Sequence, residues 1–553
     1  MEGGVDEWMH VYGELEKQSA GIDEHHVALR YGTGGFRAPA HLLPRVVMRC
    51  AVLMALRSMQ DGARVTGLMI TASHNPECDN GVKMVESSGH MLDGRWEVSA
   101  EAFVACREEH ACAKWVQSLI EGERIQVYRA RDAAVLLGFD TRRSSPDLAF
   151  LAERAIESVG AKVVRLGLVT TPQLHFCVRR TNTSTKPWMA APVICRSDDY
   201  VGELASSFTQ LTRLSAPARG PRVQVHVDCA HGVGAVAMRA LCAKLPDELA
   251  GAFVVFNHES DPHGVLNERC GADYVQKQRC FPDGAPQNCS HLASLDGDAD
   301  RLVLAFKDPQ NMDLCLLDGD FFVVLLAHYF SGLMKEIDLY WSATGQRRSI
   351  GIGVVQTAYS NGAAKEILMK LDFVQVAMAH TGVKYLEKEA LKFDIGMYWE
   401  PNGHGTVLFS ESLLASMSDA HPAMERLRLY SRLVNQAVGD GIADLLLIQV
   451  VLQDTQIGLH DWYAMYTPRP SKNLVVKVKD KNAIETCDFD RRVTRPERLQ
   501  PCVDQAIAKY PNGRAFVRPS GTEDVVRVYA EAHSWESANS LAEEIAAHVG
   551  AWC

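Results

Sequence analysis

Short apolar runs and stretches of helical periodicity alternate along most of the chain. Residues 65–70 are almost wholly apolar and follow a stretch, 45–60, whose apolar positions recur at helical spacing. The succession returns as run 135–138, helical pattern 148–158 and run 162–166. It returns again at 223–227, 234–244 and 253–256, and once more at 350–354, 363–370 and 373–376. Strands in alternation with helices predict α/β layers on largely parallel or mixed sheets. The C-terminal part breaks the rhythm. Strand-like runs 474–478 and 525–530 flank a helical pattern at 503–509, and a further helix is expected over 536–548. A small α+β unit therefore closes the chain. Two stretches, the largely polar 181–200 and the proline-bearing 215–221, read as linkers or insertions, and 439–454 as a candidate hinge.

Composition narrows the class. At roughly 150 residues per domain, a chain of 553 residues makes three or four domains. The formal net charge of -11 repels nucleic acid and anionic lipid at long range, so neither is an expected partner. An anionic ligand would need a local basic cluster. The 15 cysteines include no C-x-x-C pair and no zinc-finger spacing, and read as reduced, mostly buried thiols. The first residues are acidic and lack the apolar core of a signal peptide. The most apolar stretch, 321–330, is too short to span a bilayer. The expected location is the cytoplasm.

Four loops carry candidate chemistry. Thr71-Ala72-Ser73-His74-Asn75-Pro76 follows the first apolar run, at the strand end where α/β folds place ligands. Ser73 there is either an exposed nucleophile or part of an ordinary turn. Asp296-Gly297-Asp298-Ala299-Asp300-Arg301 lies between two apolar runs. In an extended segment its three carboxylates face one way, a costly arrangement unless a cation neutralises them. Hard oxygen ligands suit magnesium or calcium. A calcium EF-hand fails, because Arg301 and Lys307 occupy its glycine and closing-glutamate positions. Glu400-Pro401-Asn402-Gly403-His404-Gly405-Thr406 alternates acceptors and donors suited to sugar hydroxyls. Arg518-Pro519-Ser520-Gly521-Thr522-Glu523, with Arg527 beyond, has the hydroxyls, glycine amide and guanidinium groups of a phosphate cradle. It is the local basic cluster that the acidic surface calls for. Three smaller pieces add to these. Arg37, after a Gly-rich stretch, could steer a phosphate; Thr381-Gly382-Val383-Lys384 opens a helix; Lys83 could transfer a proton or neutralise charge.

In that order, and over almost the whole chain, these pieces resemble the α-D-phosphohexomutase superfamily, and most closely its phosphoacetylglucosamine mutase branch. The sugar loop beginning at Glu400, the run from Arg518 to Val528 and the run from Val354 to Gly362 point to the branch. The departures are His380 before Thr381 and Pro401 in the sugar loop. The resemblance implies three related α/β domains with mixed sheets and a smaller C-terminal α+β domain around a central cleft. The expected divisions are 1–185 with the phosphoserine loop, 186–312 with the metal loop, 313–450 with the sugar loop and 451–553 with the phosphate loop. It implies Ser73 as phosphate carrier, with Asp296, Asp298, Asp300 and Ser73 on Mg2+. Thr381, Gly382, Lys384, Glu400, Asn402 and His404 would meet the sugar. Arg518, Ser520, Gly521, Thr522 and Arg527 would hold the phosphate. His74 and Lys83 are candidates for proton transfer, and Arg37 and Arg301 for charge stabilisation. The implied reaction interconverts N-acetylglucosamine 6-phosphate and 1-phosphate through a sugar 1,6-bisphosphate, feeding UDP-N-acetylglucosamine synthesis. Rivals are a glucose or mannose phosphomutase, a non-catalytic phosphosugar-binding protein, and a phosphatase.

Overall fold

The structure is a computed structural model. It describes residues 29–183 except 33, then 194–215, 224–308, 310, 312–345, 350–417, 421–520 and 525–552, together with 10, 13 and 14. Two compact units emerge. One gathers Met1–Leu316, Asn402–Thr406 and Arg428–Gln456; the other gathers Leu317–Pro401, Val407–Leu427 and Ile457–Cys553.

The first unit holds two five-stranded sheets of mixed direction. In one, strands Thr66–Ile70, Ala134–Phe139 and Lys162–Leu168 run parallel, and Asp79–Val85 and Phe36–Pro39 continue antiparallel from the first of them. The other repeats the scheme. Val225–Asp228 lies parallel between Phe253–Phe256 and His291–Leu295, and Leu302–Lys307 returns antiparallel. Strand Thr66–Ile70 is buried at every position, as its unbroken apolar run requires of a central strand covered on both faces. Helix Pro44–Gln60 starts on a proline at its first turn and is apolar nearly all round. Its one buried charge, Arg49, caps the end of helix Gly94–Ala105 by donating to the carbonyls of Phe103, Val104 and Cys106 at 2.9, 3.1 and 2.8 Å.

The second unit holds parallel strands Val374–Met378, Ile352–Gln356 and Ile395–Trp399, and from Val407 onward the strand Gly405–Phe409, next in order. It also holds the antiparallel set Ser471–Lys477, Val525–Glu531 and Arg514–Pro519. Helices Leu499–Ile507 and Trp535–Trp552 complete that C-terminal α+β part.

Two expected connections are regular structure. The 181–200 stretch gives Thr181 to helix Thr171–Thr183 at one end and Ser197 to helix Ser197–Leu214 at the other, with 184–193 outside the described residues. Most of 215–221 also lies outside them. The candidate hinge is helix Gly441–Thr455, whose Ile442, Leu445–Ile448, Val450 and Val451 are buried. Apolar on every side, it belongs in the interior. Among the described residues no helix is long and apolar enough to cross a membrane. Even helix Gly319–Ala343, which contains the most apolar stretch, carries Asp320, Lys335, Glu336 and Asp338.

Candidate active site

Ser73 stands just past the carboxyl end of strand Thr66–Ile70 with φ of 54°, a left-handed conformation that costs a non-glycine residue about 1–2 kcal/mol. The surroundings hold it there. Thr71 Oγ1 accepts from the Ser73 amide at 3.0 Å and donates to Asp140 on the neighbouring strand end at 2.7 Å. The fully buried Arg142 pairs with Asp140 and donates to the carbonyls of Ser73 and Asn75, both at 2.9 Å, and to those of Pro76 and Asp79. Asn267 Nδ2 reaches the same Ser73 and Asn75 carbonyls at 2.8 and 3.0 Å. Held in this way, the Ser73 hydroxyl donates to Asp296 Oδ2 at 2.6 Å.

The acidic loop connects antiparallel strands His291–Leu295 and Leu302–Lys307. It is a tight turn and not the extended segment expected. The Ala299 amide donates back to the Asp296 carbonyl at 3.1 Å, and Ala299 has φ of 58°. The turn still brings one oxygen each of Asp296, Asp298 and Asp300 within 4.8 Å of one another, all three residues buried. Burial, with Asp300 and Asp298 beside it, pushes the Asp296 carboxyl well above the usual range. Burial works the same way on Asp300, yet Lys83 and His404 hold it well below. Lys83 Nζ donates to Asp298 Oδ2 at 2.6 Å and Asp300 Oδ2 at 2.8 Å, while Thr171 Oγ1 donates to Asp298 Oδ2 at 2.6 Å. Burial pulls the Lys83 pKa down, but the two aspartates outweigh it and raise it. Asp298 Oδ1 is buried without a hydrogen-bond partner. Three buried carboxylates, a bare oxygen and the Ser73 hydroxyl form an all-oxygen donor set that fits magnesium.

A basic group sits on the same side. Arg37 donates to Asn75 Oδ1 at 3.4 Å, and Arg301 Nε lies 3.8 Å from both Asp296 and Asp300. Burial and the Arg301 charge lower the Arg37 pKa. Arg301, then burial, then Arg37 hold His74 well below the usual histidine range, leaving the imidazole neutral. His404 is brought to the metal loop, its Nδ1 3.3 Å from Asp300 Oδ1. Its loop is fastened there by the Gly403 carbonyl, which accepts from the Leu302 amide at 3.1 Å, and Asn402 Oδ1 accepts from the His404 amide at 3.1 Å.

In the second unit, Glu400 follows strand Ile395–Trp399. Gly382, with φ of 121°, caps helix Val383–Ala390, and the Thr381 hydroxyl is buried without a hydrogen-bond partner. Lys384 Nζ lies 5.2 Å from the Tyr385 ring. Arg518 and Arg527 face each other directly across two antiparallel strands. Like charges placed so are unfavourable without an anion between them. The Ser520 amide donates to the Val525 carbonyl at 2.9 Å. Gly521 and Thr522 lie outside the described residues.

The family models cover most of this frame. "Phosphoacetylglucosamine mutase AMG1, domain II" matches residues 190–303 and its domain III matches 318–457. "Phosphoglucomutase/phosphomannomutase, alpha/beta/alpha domain I" matches 47–111 and 108–191, and the C-terminal domain of the same group matches 474–548. A phosphoacetylglucosamine mutase of Oryza sativa subsp. japonica is 40% identical over 543 residues, covering 94% of each chain. The chain belongs to the phosphoacetylglucosamine mutase family. A solved structure of Aspergillus fumigatus N-acetylphosphoglucosamine mutase in complex with GlcNAc-6P and magnesium superposes with a TM-score of 0.87 at 34% identity, covering 99% of this chain and 98% of that one. A serine-to-alanine form of that enzyme in complex with glucose 1,6-bisphosphate gives 0.86 at 34% identity, with 98% of each chain covered.

Within this phosphoacetylglucosamine mutase fold, several contributors were not read from the sequence. Arg142, Asp140, Asn267 and Thr171 act on the serine and metal loops from 66 to 194 positions away in the chain. The Gly138-Phe139-Asp140-Thr141-Arg142 turn after a strand was the one local signal available.

Proposed function

We propose that this chain interconverts N-acetylglucosamine 6-phosphate and N-acetylglucosamine 1-phosphate, with Ser73 carrying the phosphate between them. The observation that carries the reading is the Ser73 hydroxyl, fixed in a left-handed turn 2.6 Å from a buried aspartate of the acidic loop. Asp296, Asp298, Asp300 and Ser73 are the groups that would hold magnesium. When bound, the ion neutralises charge on the transferring phosphoryl group.

Phosphoryl transfer asks mainly for positioning and charge neutralisation. Phosphorylated Ser73 gives up its Oγ–P bond as the free sugar hydroxyl forms a new O–P bond, yielding the 1,6-bisphosphate. The hydroxyl proton leaves to the neutral imidazole of His74, while Lys83, held as a cation by Asp298 and Asp300, neutralises charge, and the reverse step returns the other phosphate to Ser73. Arg37 and Arg301 offer guanidinium groups to the phosphoryl oxygens. Glu400, Asn402 and His404, with Thr381, Gly382 and Lys384, meet the sugar. Arg518, Ser520, Gly521, Thr522 and Arg527 hold the phosphate that is not reacting. The reading keeps the fourfold division at 185, 312 and 450, a cytoplasmic location, and supply of the 1-phosphate for UDP-N-acetylglucosamine synthesis.

A coupled assay on N-acetylglucosamine 6-phosphate tests it, with magnesium, a trace of sugar bisphosphate, and glucose 6-phosphate in parallel. Conversion that EDTA stops and that favours the acetylated sugar is expected. Preference for glucose 6-phosphate would move the chain to the glucose-type mutases, and release of inorganic phosphate would make it a phosphatase. Ser73→Ala should abolish mutase turnover with an unchanged melting temperature; full activity in that variant would remove Ser73 as carrier. His74→Ala should block transfer to the sugar while Ser73 stays phosphorylated; transfer at the full rate in that variant would remove His74 as the proton acceptor.

A further inference from the structure

The hairpin Glu485–Cys487 and Arg492–Arg495 carries a turn that no motif singles out. Its residues Asp488, Phe489 and Asp490 have φ of 54°, 57° and 68°, three non-glycine residues in succession in the left-handed region. Each costs on the order of 1 kcal/mol, and such strain persists only where the surroundings over-determine it. Here the surroundings are two segments already implicated in anion binding. Asp490 Oδ2 lies 3.2 Å from Arg518 Nε and 3.6 Å from His380 Nδ1, and Asp490 Oδ1 accepts from Thr486 Oγ1 at 3.0 Å. The Phe489 ring meets the His380 ring edge-on, with centroids 5.4 Å apart. The Asp490 side chain is 15% exposed and that of Arg518 25%.

We propose that Asp490 is a positioning residue of the phosphate site, orienting the Arg518 guanidinium through Nε and tying it to the His380–Thr381 segment. The proposal rests on the function proposed above. A carboxylate on Nε leaves the terminal nitrogens of the guanidinium free for a phosphate and stops the planar fork from rotating. It also offsets part of the repulsion between Arg518 and the directly opposed Arg527. His380, the departure from the family pattern, faces the same carboxylate, so the ends of the two anion-binding segments share one anchor.

The test compares Asp490→Ala with Asp490→Glu in the full-length protein. Both put an ordinary side chain at a left-handed position and so carry the same backbone strain; only the second keeps a carboxylate. Inorganic phosphate binding is measured by calorimetry without turnover, and kcat and KM for N-acetylglucosamine 6-phosphate are measured separately. Loss of a charged hydrogen bond predicts that Asp490→Ala weakens phosphate binding and raises KM about tenfold, with little of the loss in kcat. Asp490→Glu should recover most of it. Phosphate binding by Asp490→Ala equal to that of the unaltered protein overturns the proposal. So does an Asp490→Glu variant as weak as the alanine one, which would make the turn alone responsible, and so does a loss confined to kcat. Absence of mutase activity in the unaltered protein would overturn the functional reading, and the calorimetry would still decide on Asp490.

Discussion

Gly297 shows how little room the nucleophile has. A methyl group there would stand 2.7 Å from the Ser73 carbonyl and 2.9 Å from Asn267 Nδ2. Gly297→Ala must therefore push the serine loop off its clamp. Displacements near 1 Å at a reacting centre cost about a hundredfold, so kcat should fall by about that much while KM changes little, with a lowered melting temperature from the overpacking. A Gly297→Ala enzyme with unaltered kcat would show that the serine loop tolerates movement. The three aspartates stood out because three convergent carboxylates are costly without a cation, whereas the Ser73 loop alone read equally as an ordinary turn and was singled out only by the resemblance. Their supports did not stand out. Arg142 and Asn267 look like any arginine and any asparagine until the fold brings them to the same two carbonyls. Asp490 is hidden for the same reason, in a stretch that reads as a polar turn.

At the scale of elements, buried strands announced themselves by apolar runs and were placed to within a few residues. The edge strand Phe36–Pro39 was not, because half of its pattern is not buried and it is only four residues long. Polar stretches misled in the other direction. The 181–200 stretch read as a linker, yet its first three residues end helix Thr171–Thr183 and its last four open helix Ser197–Leu214. Helix Gly319–Ala343 carries a further consequence. In its first turn Asp320 accepts from the Asn361 amide at 2.9 Å, and burial, reinforced by Asp318, pushes its pKa up to about 8. The folded state thus holds a proton that the unfolded chain releases near pH 4. Stability from this group is full below that value and is lost as pH rises towards 8, with a slope of at most about 1.4 kcal/mol per pH unit. Asp320→Asn should remove the dependence. The variant should melt above the unaltered protein at pH 8 and level with it near pH 4.5, as calorimetry across that range would show. A gap that does not change with pH would mean that Asp320 is ionised throughout.

For the whole molecule, the acidic loop is a liability until a cation arrives. Three buried carboxylates repel one another in a dry place, offset only in part by Lys83, Arg301 and His404. Magnesium should raise the melting temperature in proportion to the logarithm of its concentration above the dissociation constant. Asp298→Asn should blunt that rise, and a titration that leaves both proteins unmoved would place the ion elsewhere. The unit that holds this loop is also discontinuous in sequence, since it takes in Asn402–Thr406 and Arg428–Gln456. The Leu302 amide waits for the carbonyl of Gly403, and the Ala299 carbonyl for the amide of Gly441. A ribosome that has released Leu316 has therefore not released the whole unit. At roughly 5–20 residues per second, the nascent metal loop stays unfinished for on the order of ten seconds, until the chain through Gln456 has emerged. Chaperone demand should peak in that interval, and stop codons placed after Leu316 should yield insoluble fragments while the full chain remains soluble.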